Sequence, residues 1–69
     1  MSTNYEALIP KGILFNIKEI EEMGAIKSEM MRKLIKKGNI EIVKIGNKTH
    51  VSRTELIRFL KENTLENSQ

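Results

Sequence analysis

Cationic side chains are the residues of this sequence best suited to chemistry, and they are concentrated in one segment. Residues 27–53 hold eight lysines and arginines against two glutamates, a net charge of +6 in a protein whose net charge is +3. The remainder of the chain therefore carries −3. Such asymmetry favours a polyanion as partner. A solvated lysine-rich face would account for the charge equally well.

The residue inventory argues against catalysis. The chain has 69 residues, one histidine, no cysteine and no aspartate. Ser-His-Asp and Cys-His arrangements and the usual zinc clusters therefore cannot be assembled within one chain. We expect no enzyme, no metal site and no cofactor. No apolar run approaches the roughly 20 residues of a membrane span, so we expect a cytoplasmic protein that does not contact the membrane.

Two stretches have the signature of a helix start. In "FNIKEI", Asn16 can cap a first helix, with Glu19 as its reciprocal partner and Phe15 packing on Ile20. Gly24 can end that helix. In "VSRTEL", the same sequence pattern predicts a third helix that Ser52 caps, with Glu55 as the reciprocal partner and Val51 packing on Leu56.

The stretch between these helices predicts a second, amphipathic helix that ends at Gly38. One side of the helical wheel is apolar, so its two methionines are interpreted as core filling. The apolar residues are Met30, Met31, Leu34 and Ile35, and the opposite, charged face is formed by Glu29, Arg32, Lys33 and Lys36.

After Gly38 the apolar pattern changes to period two, which predicts a β-hairpin around residues 43–51. A two-residue Gly46-Asn47 loop is one possibility. A loop of residues 46–48 is favoured because it would place Val43 opposite Val51 and leave Lys44 and His50 together on the other face. Either loop places Asn47 at the tip, with Lys48 beside it.

The order of helix, turn, basic helix, basic-tipped hairpin and helix resembles a winged helix-turn-helix of the excisionase type, which is similar to MerR-like domains. The resemblance rests on "LFNIKEI", "RKLIKKGNI" and "VKIGNKTHVSRTEL" and covers about two-thirds of the chain. The sequence departs from that pattern in three places. Glu21 replaces a small residue in the middle of the first helix, Gly24-Ala25 replaces Leu-Gly in the turn, and Lys27 replaces the serine or threonine that opens the second helix, with Ser28 one place late. The implied fold class is α+β, with three helices and a two-stranded hairpin wing between helices 2 and 3.

This resemblance implies a division into residues 1–12 as an N-terminal extension, 13–62 as the winged helix-turn-helix domain and 63–69 as a flexible tail. It also implies sequence-specific binding of double-stranded DNA, by an excisionase-like recombination directionality factor or a small transcriptional regulator. Specificity would then need a dimer, adjacent copies on DNA, or a larger recombination or transcription protein, because one small module buries little surface.

In that reading the second helix enters the major groove and the hairpin contacts the neighbouring phosphate backbone or minor groove. Arg32 is expected to read a base because its planar fork matches a guanine edge, whereas lysines suit phosphates. Glu29 is either a cytosine contact or an i, i+4 partner of Lys33. The expected DNA-binding residues are Lys27, Ser28, Glu29, Arg32, Lys33 and Lys36 of the helix, and Lys44, Asn47, Lys48 and His50 of the wing.

Two other functions compete with DNA binding. Winged helices also bind proteins, so the basic face could dock an acidic partner protein. RNA binding is disfavoured because the sequence offers no evident exposed aromatic platform. His50, as a lone histidine, fits a surface or packing role as well as a contact.

Overall fold

The computed structural model describes residues 3–65, which form a small α+β domain. The α+β class is confirmed, whereas the predicted counts are wrong: the described residues contain four helices and a three-stranded antiparallel sheet. The predicted tail lies partly outside this range, at residues 66–69. The elements are α1 (Tyr5–Leu8), β1 (Leu14–Asn16), α2 (Ile17–Glu22), α3 (Ser28–Lys37), β2 (Val43–Ile45), β3 (Lys48–Ser52) and α4 (Arg53–Glu62).

The N-terminal segment packs against the last helix. Its first turn forms α1, which contacts α4, and Ile9 is buried in the core. The guanidinium of Arg53 donates to the carbonyl oxygens of Glu6 at 2.7 Å, Pro10 at 3.0 Å and Ile9 at 3.1 Å. Because three otherwise unpaired carbonyls are satisfied by one side chain, Arg53 fastens residues 6–10 to the start of α4.

The sheet has the strand order β1-β3-β2, with β3 in the centre. Phe15 of β1 pairs with Val51 of β3, and both side chains are buried in the core. Side chains alternate between the two faces of a strand. The sheet therefore packs one face on the helices, while the other face carries the exposed Val43 and Ile45.

The predicted hairpin register is wrong. Val43 lies opposite His50 and Ile45 opposite Lys48, so the loop is the two-residue Gly46-Asn47. Gly46 has φ 62° and no other residue type has a positive φ among the described residues, which fits the type II′ turn that suits two-residue hairpins. The prediction failed because it assumed that the apolar side chains of β2 must face the core.

The predicted ends of the helices that precede the hairpin are confirmed. Asn16 accepts from the Glu19 backbone N–H at 2.7 Å, and the Glu19 carboxylate accepts from the Asn16 N–H at 2.9 Å. Gly24 and Gly38 follow α2 and α3 with φ of 84° and 75°. In both cases the next N–H reaches back to a carbonyl five residues earlier, as in a Schellman motif.

Only one of the two hydrogen bonds that the sequence predicts for the cap of α4 is present. The Ser52 hydroxyl accepts from the Glu55 N–H at 3.0 Å. The Glu55 carboxylate does not reach back to Ser52, because it accepts instead from the Glu41 N–H at 2.8 Å and from Arg58. Ser52 also pairs with Leu14 of β1, which links the start of α4 to the sheet.

The core fills the space between the sheet and the helices. Met31 is fully buried there, with Ile20, Val51 and Leu56, so its predicted role is confirmed. Met30 is 50% exposed, so its predicted role in the core is wrong. The two residues lie about 100° apart on the helix, which leaves Met30 at the edge of the apolar stripe. Within residues 3–65, no helix has the length and apolar character that crossing a membrane requires.

Candidate nucleic-acid interface

Helix α3 presents one charged face to solvent. The helix packs on α2 through its buried side, where Met31 anchors it. Glu29, Arg32, Lys33 and Lys36 have the helical spacing that places them on one side, and all four are exposed. The other two residues that the sequence predicts for this surface lie at the start of the helix, where Lys27 is exposed and Ser28 is partly buried.

The cations of α3 and of the hairpin have no internal partners. In the part of the chain that the structure describes, none of their side chains donates a hydrogen bond or forms an ion pair. Arg53, Arg58 and Lys61, by contrast, are all engaged with other groups of the protein. Within residues 27–53, the cations without partners are Lys27, Arg32, Lys33, Lys36, Lys37, Lys44 and Lys48, seven of eight. Elsewhere in the described residues, Lys11 and Lys18 also have none.

The N-terminus of α3 is capped from the preceding helix. Lys27 occupies the N-cap position and its side chain makes no capping hydrogen bond. Glu21 of α2 supplies the acceptor: its carboxylate accepts from the Ser28 hydroxyl and from the Ser28 N–H at 2.8 Å. These bonds hold the pKa of Glu21 below its usual range, and the charges of Lys27 and Arg32 lower it further. The departure at Glu21 thus has a structural role, which joins α2 to α3.

Asn47 and Lys48 lie at the exposed tip of the hairpin, as predicted. Lys44 pairs with Thr49, and its side chain therefore leaves the hairpin on the face opposite to Lys48 and His50. The prediction that Lys44 and His50 share a face is wrong, for the same reason as the register. The structure brings Asn47 and Lys48 together but places Lys44 on the other side.

His50 lies in the middle of the sheet rather than at its tip. It pairs with Asn16 on one side and with Val43 on the other, and its side chain is partly buried. Its Nδ1 is buried without a hydrogen-bond partner in the described residues. Nε2 is thus the ring nitrogen that remains for an outside group.

A network centred on Glu55 fixes the connection between α3 and the hairpin. The Glu55 side chain is only 12% exposed and accepts from Arg58 at 2.7 Å and 2.6 Å. It also accepts from the Glu41 N–H, and Ile40 beside it is buried. The bonds from Arg58 lower the pKa of Glu55, while this pairing raises the pKa of Arg58. Residues 39–42 are therefore held against α4, which sets where the hairpin begins.

Sequence reasoning did not assign Lys37 to this surface and left the role of Glu29 open. Lys37 is exposed at the end of α3, about 90° from the centre of the charged face, and has no partner among the described residues. Glu29 forms no ion pair with Lys33 in the described residues, so that carboxylate is also free.

No protein-family model, curated protein or solved structure matches this chain. The function must be inferred from the chain's own geometry. Chemically, the surface offers ammonium groups and one guanidinium along a helix, with a further cation at the hairpin tip. Such groups donate hydrogen bonds to phosphate or carboxylate oxygens.

Proposed function

We propose that this chain is a winged helix-turn-helix domain that binds double-stranded DNA and has no catalytic activity. Helix α3 is the recognition helix and the β2–β3 hairpin is the wing. The observation that carries the proposal is the set of seven unpaired cations on these two elements. A cation that is paired within the protein would have to give up that ion pair to bind a phosphate. An unpaired, exposed cation can bind a phosphate without that loss.

The shape of α3 fits a major groove. A B-form major groove is about 12 Å wide and admits one helix. The charged side of α3 is solvent-exposed from Glu29 to Lys36, while its opposite side is fixed by Met31 in the core. A helix that is anchored on one side and charged on the other can lie in the groove without disturbing the fold.

Arg32 is the residue proposed to read a base. It is exposed and has no carboxylate partner within residues 3–65, so its guanidinium can form two parallel bonds with the edge of a guanine. Lys36 and Lys33 follow it around the helix by about 40° and 100°, and Lys27 precedes the first turn. These three lysines are proposed to meet the phosphates that border the groove. Glu29 could accept from a cytosine amino group in the same groove.

The hairpin supports the helix from outside the groove. Lys48 at its tip is proposed to bind a phosphate of the neighbouring backbone, with Asn47 donating beside it. Lys44 belongs to the other face and, in this arrangement, contributes charge rather than a direct contact. Because Glu55 fixes residues 39–42 on α4, the wing is held in place before DNA arrives, which reduces the entropy cost of binding.

The biological role that we propose is recombination or transcription control, by analogy with excisionase-type and MerR-like domains. One module of this size buries roughly 600 to 1,000 Å² on DNA. Adjacent copies on the site, or a larger protein bound beside it, would supply the remaining specificity.

Binding to defined nucleic acids tests the proposal. We expect the protein to bind a mixed-sequence DNA duplex at low salt more tightly than single-stranded DNA or duplex RNA, because α3 fits a B-form groove. Replacing Arg32, Lys33 and Lys36 together by glutamine should abolish this binding. The matched control replaces Lys11, Lys18 and Lys61, which also removes three charges, and should retain most of it. Equal binding to all three nucleic acids would contradict a recognition helix.

A further inference from the structure

An open groove runs between the first half of α3 and the second half of α4. It encloses about 880 Å³, and its floor is apolar: Ile26, Met30, Leu34 and Phe59 contribute to it. Met30 is the most informative of these residues, because the described residues leave half of this large apolar side chain exposed. The core does not require this exposure, since Met31 already fills the interior below α3.

The rim of this groove is cationic. Lys27, Arg32 and Lys33 border it, and none of them has an internal partner in the described residues. Two carboxylates also line it. Glu21 is already satisfied by Ser28, and Glu29 alone remains as a free anion. The groove thus combines an apolar floor with a surplus of positive charge at its edge.

A DNA duplex can contact the cationic rim of this groove but not its apolar floor. Phosphates and base edges can meet the cations, but a duplex has no bulky apolar group that would reach the floor beside Phe59. A peptide segment with carboxylates around one or two large apolar side chains would contact both the floor and the rim. Its apolar anchors would displace water from the floor, and its carboxylates would pair with the rim. The flexible thioether of Met30 can adapt to different anchors.

We propose that the α3–α4 groove binds an acidic segment of a partner protein, anchored by bulky apolar side chains, and that this segment excludes DNA from α3. The docking rests on the apolar floor and the cationic rim of the groove alone. The exclusion rests on the proposed function, because Arg32 and Lys33 would serve both ligands. The partner would therefore act as a competitive inhibitor of DNA binding, which gives the DNA-binding surface a means of regulation.

Selection from a displayed library of random short peptides, at physiological salt, tests the docking. The expected result is enrichment of peptides in which acidic residues flank leucine, phenylalanine or similar side chains. Enrichment of basic or purely polar peptides, or of none, would overturn the proposal. The best enriched peptide is then synthesised with a fluorescent label for affinity measurements.

Two variants locate the peptide. Met30→Gln should weaken its binding about tenfold, because an apolar anchor loses its contact. Ile45→Gln is the matched control, since Ile45 is 56% exposed but lies on the hairpin, and it should leave the affinity unchanged. Equal affinity for the Met30→Gln variant and the unaltered protein would remove the groove as the site.

Competition separates this inference from the proposed function. A DNA duplex should displace the labelled peptide, while Met30→Gln should leave DNA affinity intact because Met30 is not among the DNA contacts. If DNA binds but does not displace the peptide, the regulatory part is wrong. If the peptide binds as expected and no duplex binds, the docking site stands and the proposed DNA function fails.

Discussion

The division of labour between α3 and the hairpin can be tested with two single substitutions. Arg32→Ala removes the proposed base contact, and Lys48→Ala removes the proposed phosphate contact. A bidentate contact with a base contributes about 1 to 3 kcal/mol of discrimination. Arg32→Ala should therefore weaken binding to a selected site roughly 5- to 150-fold and weaken binding to a random duplex much less.

The structure also sets the expected salt dependence. Lys27, Lys33, Lys36 and Lys48 are the cations proposed to meet phosphates, while Lys44 leaves the opposite face of the hairpin. Four phosphate contacts give a slope of about −3.6 in a plot of log affinity against log salt, which means a loss of about 150-fold from about 50 to about 200 mM. Lys48→Ala leaves three contacts, a slope of about −2.7 and a loss of about 40-fold.

The assay is fluorescence anisotropy of a selected and a random duplex across this salt range. Lys61→Ala is the charge-matched control, because Lys61 lies on α4 and is paired with Glu6 at 3.4 Å. Equal losses on both duplexes for Arg32→Ala would refute its role in base reading. A Lys48→Ala protein with the slope of the Lys61→Ala control would leave the hairpin without a role in binding.

Three further predictions concern the scaffold that holds this surface. Ser52→Ala should lower the free energy of unfolding by about 1 kcal/mol, because the cap of α4 is lost; an unchanged denaturant midpoint would argue against the cap. Gly46→Ala should cost about 1 to 2 kcal/mol because of the positive φ, whereas Asn47→Ala in the same turn should cost much less; equal costs would contradict the turn. Because the pKa of Glu21 is lowered from 4.5, its bonds to Ser28 stabilise the fold above that pH and are lost as pH falls through the lowered pKa. The NMR signal of the Ser28 amide should report this titration, and the step should be absent in Glu21→Gln; its persistence there would exclude Glu21 as the cause.

The parts of the fold that local sequence determines could be predicted. The Asn16 capping box and the stops at Gly24 and Gly38 depend on residues within one or two turns of each other, so their signatures are readable without tertiary information. The charged face of α3 was predictable for the same reason. Its periodicity alone assigns Arg32 and Lys33 to one side.

The parts that depend on distant residues could not be predicted. Strand β1 has three residues and exists because Phe15 pairs with Val51, 36 positions away. Helix α1 is a single turn, held where the hydroxyls of Tyr5 and Thr64 form a hydrogen bond. Isolated elements this short are not stable, so no local signature encodes them.

The prediction of the hairpin register failed for a related reason. Pairing rules that consider two strands alone favour apolar residues on one buried face. Here β1 supplies the buried partner of Val51, and Val43 and Ile45 are left on the outer face. The role of Glu21 was likewise hidden, because its bond to Ser28 joins two helices across a turn whose geometry the sequence does not reveal.

Mapping a DNA duplex on the protein by NMR tests the central claim most directly. Amide signals of the protein are followed while a selected duplex is added at low salt. We expect the largest shifts in residues 27–37 of α3 and at Asn47 and Lys48 of the hairpin, with small shifts on the outer face of α4 around Glu62. Shifts centred on α4 or on the N-terminal segment, or no shifts at a saturating duplex concentration, would contradict DNA binding through α3 and the hairpin.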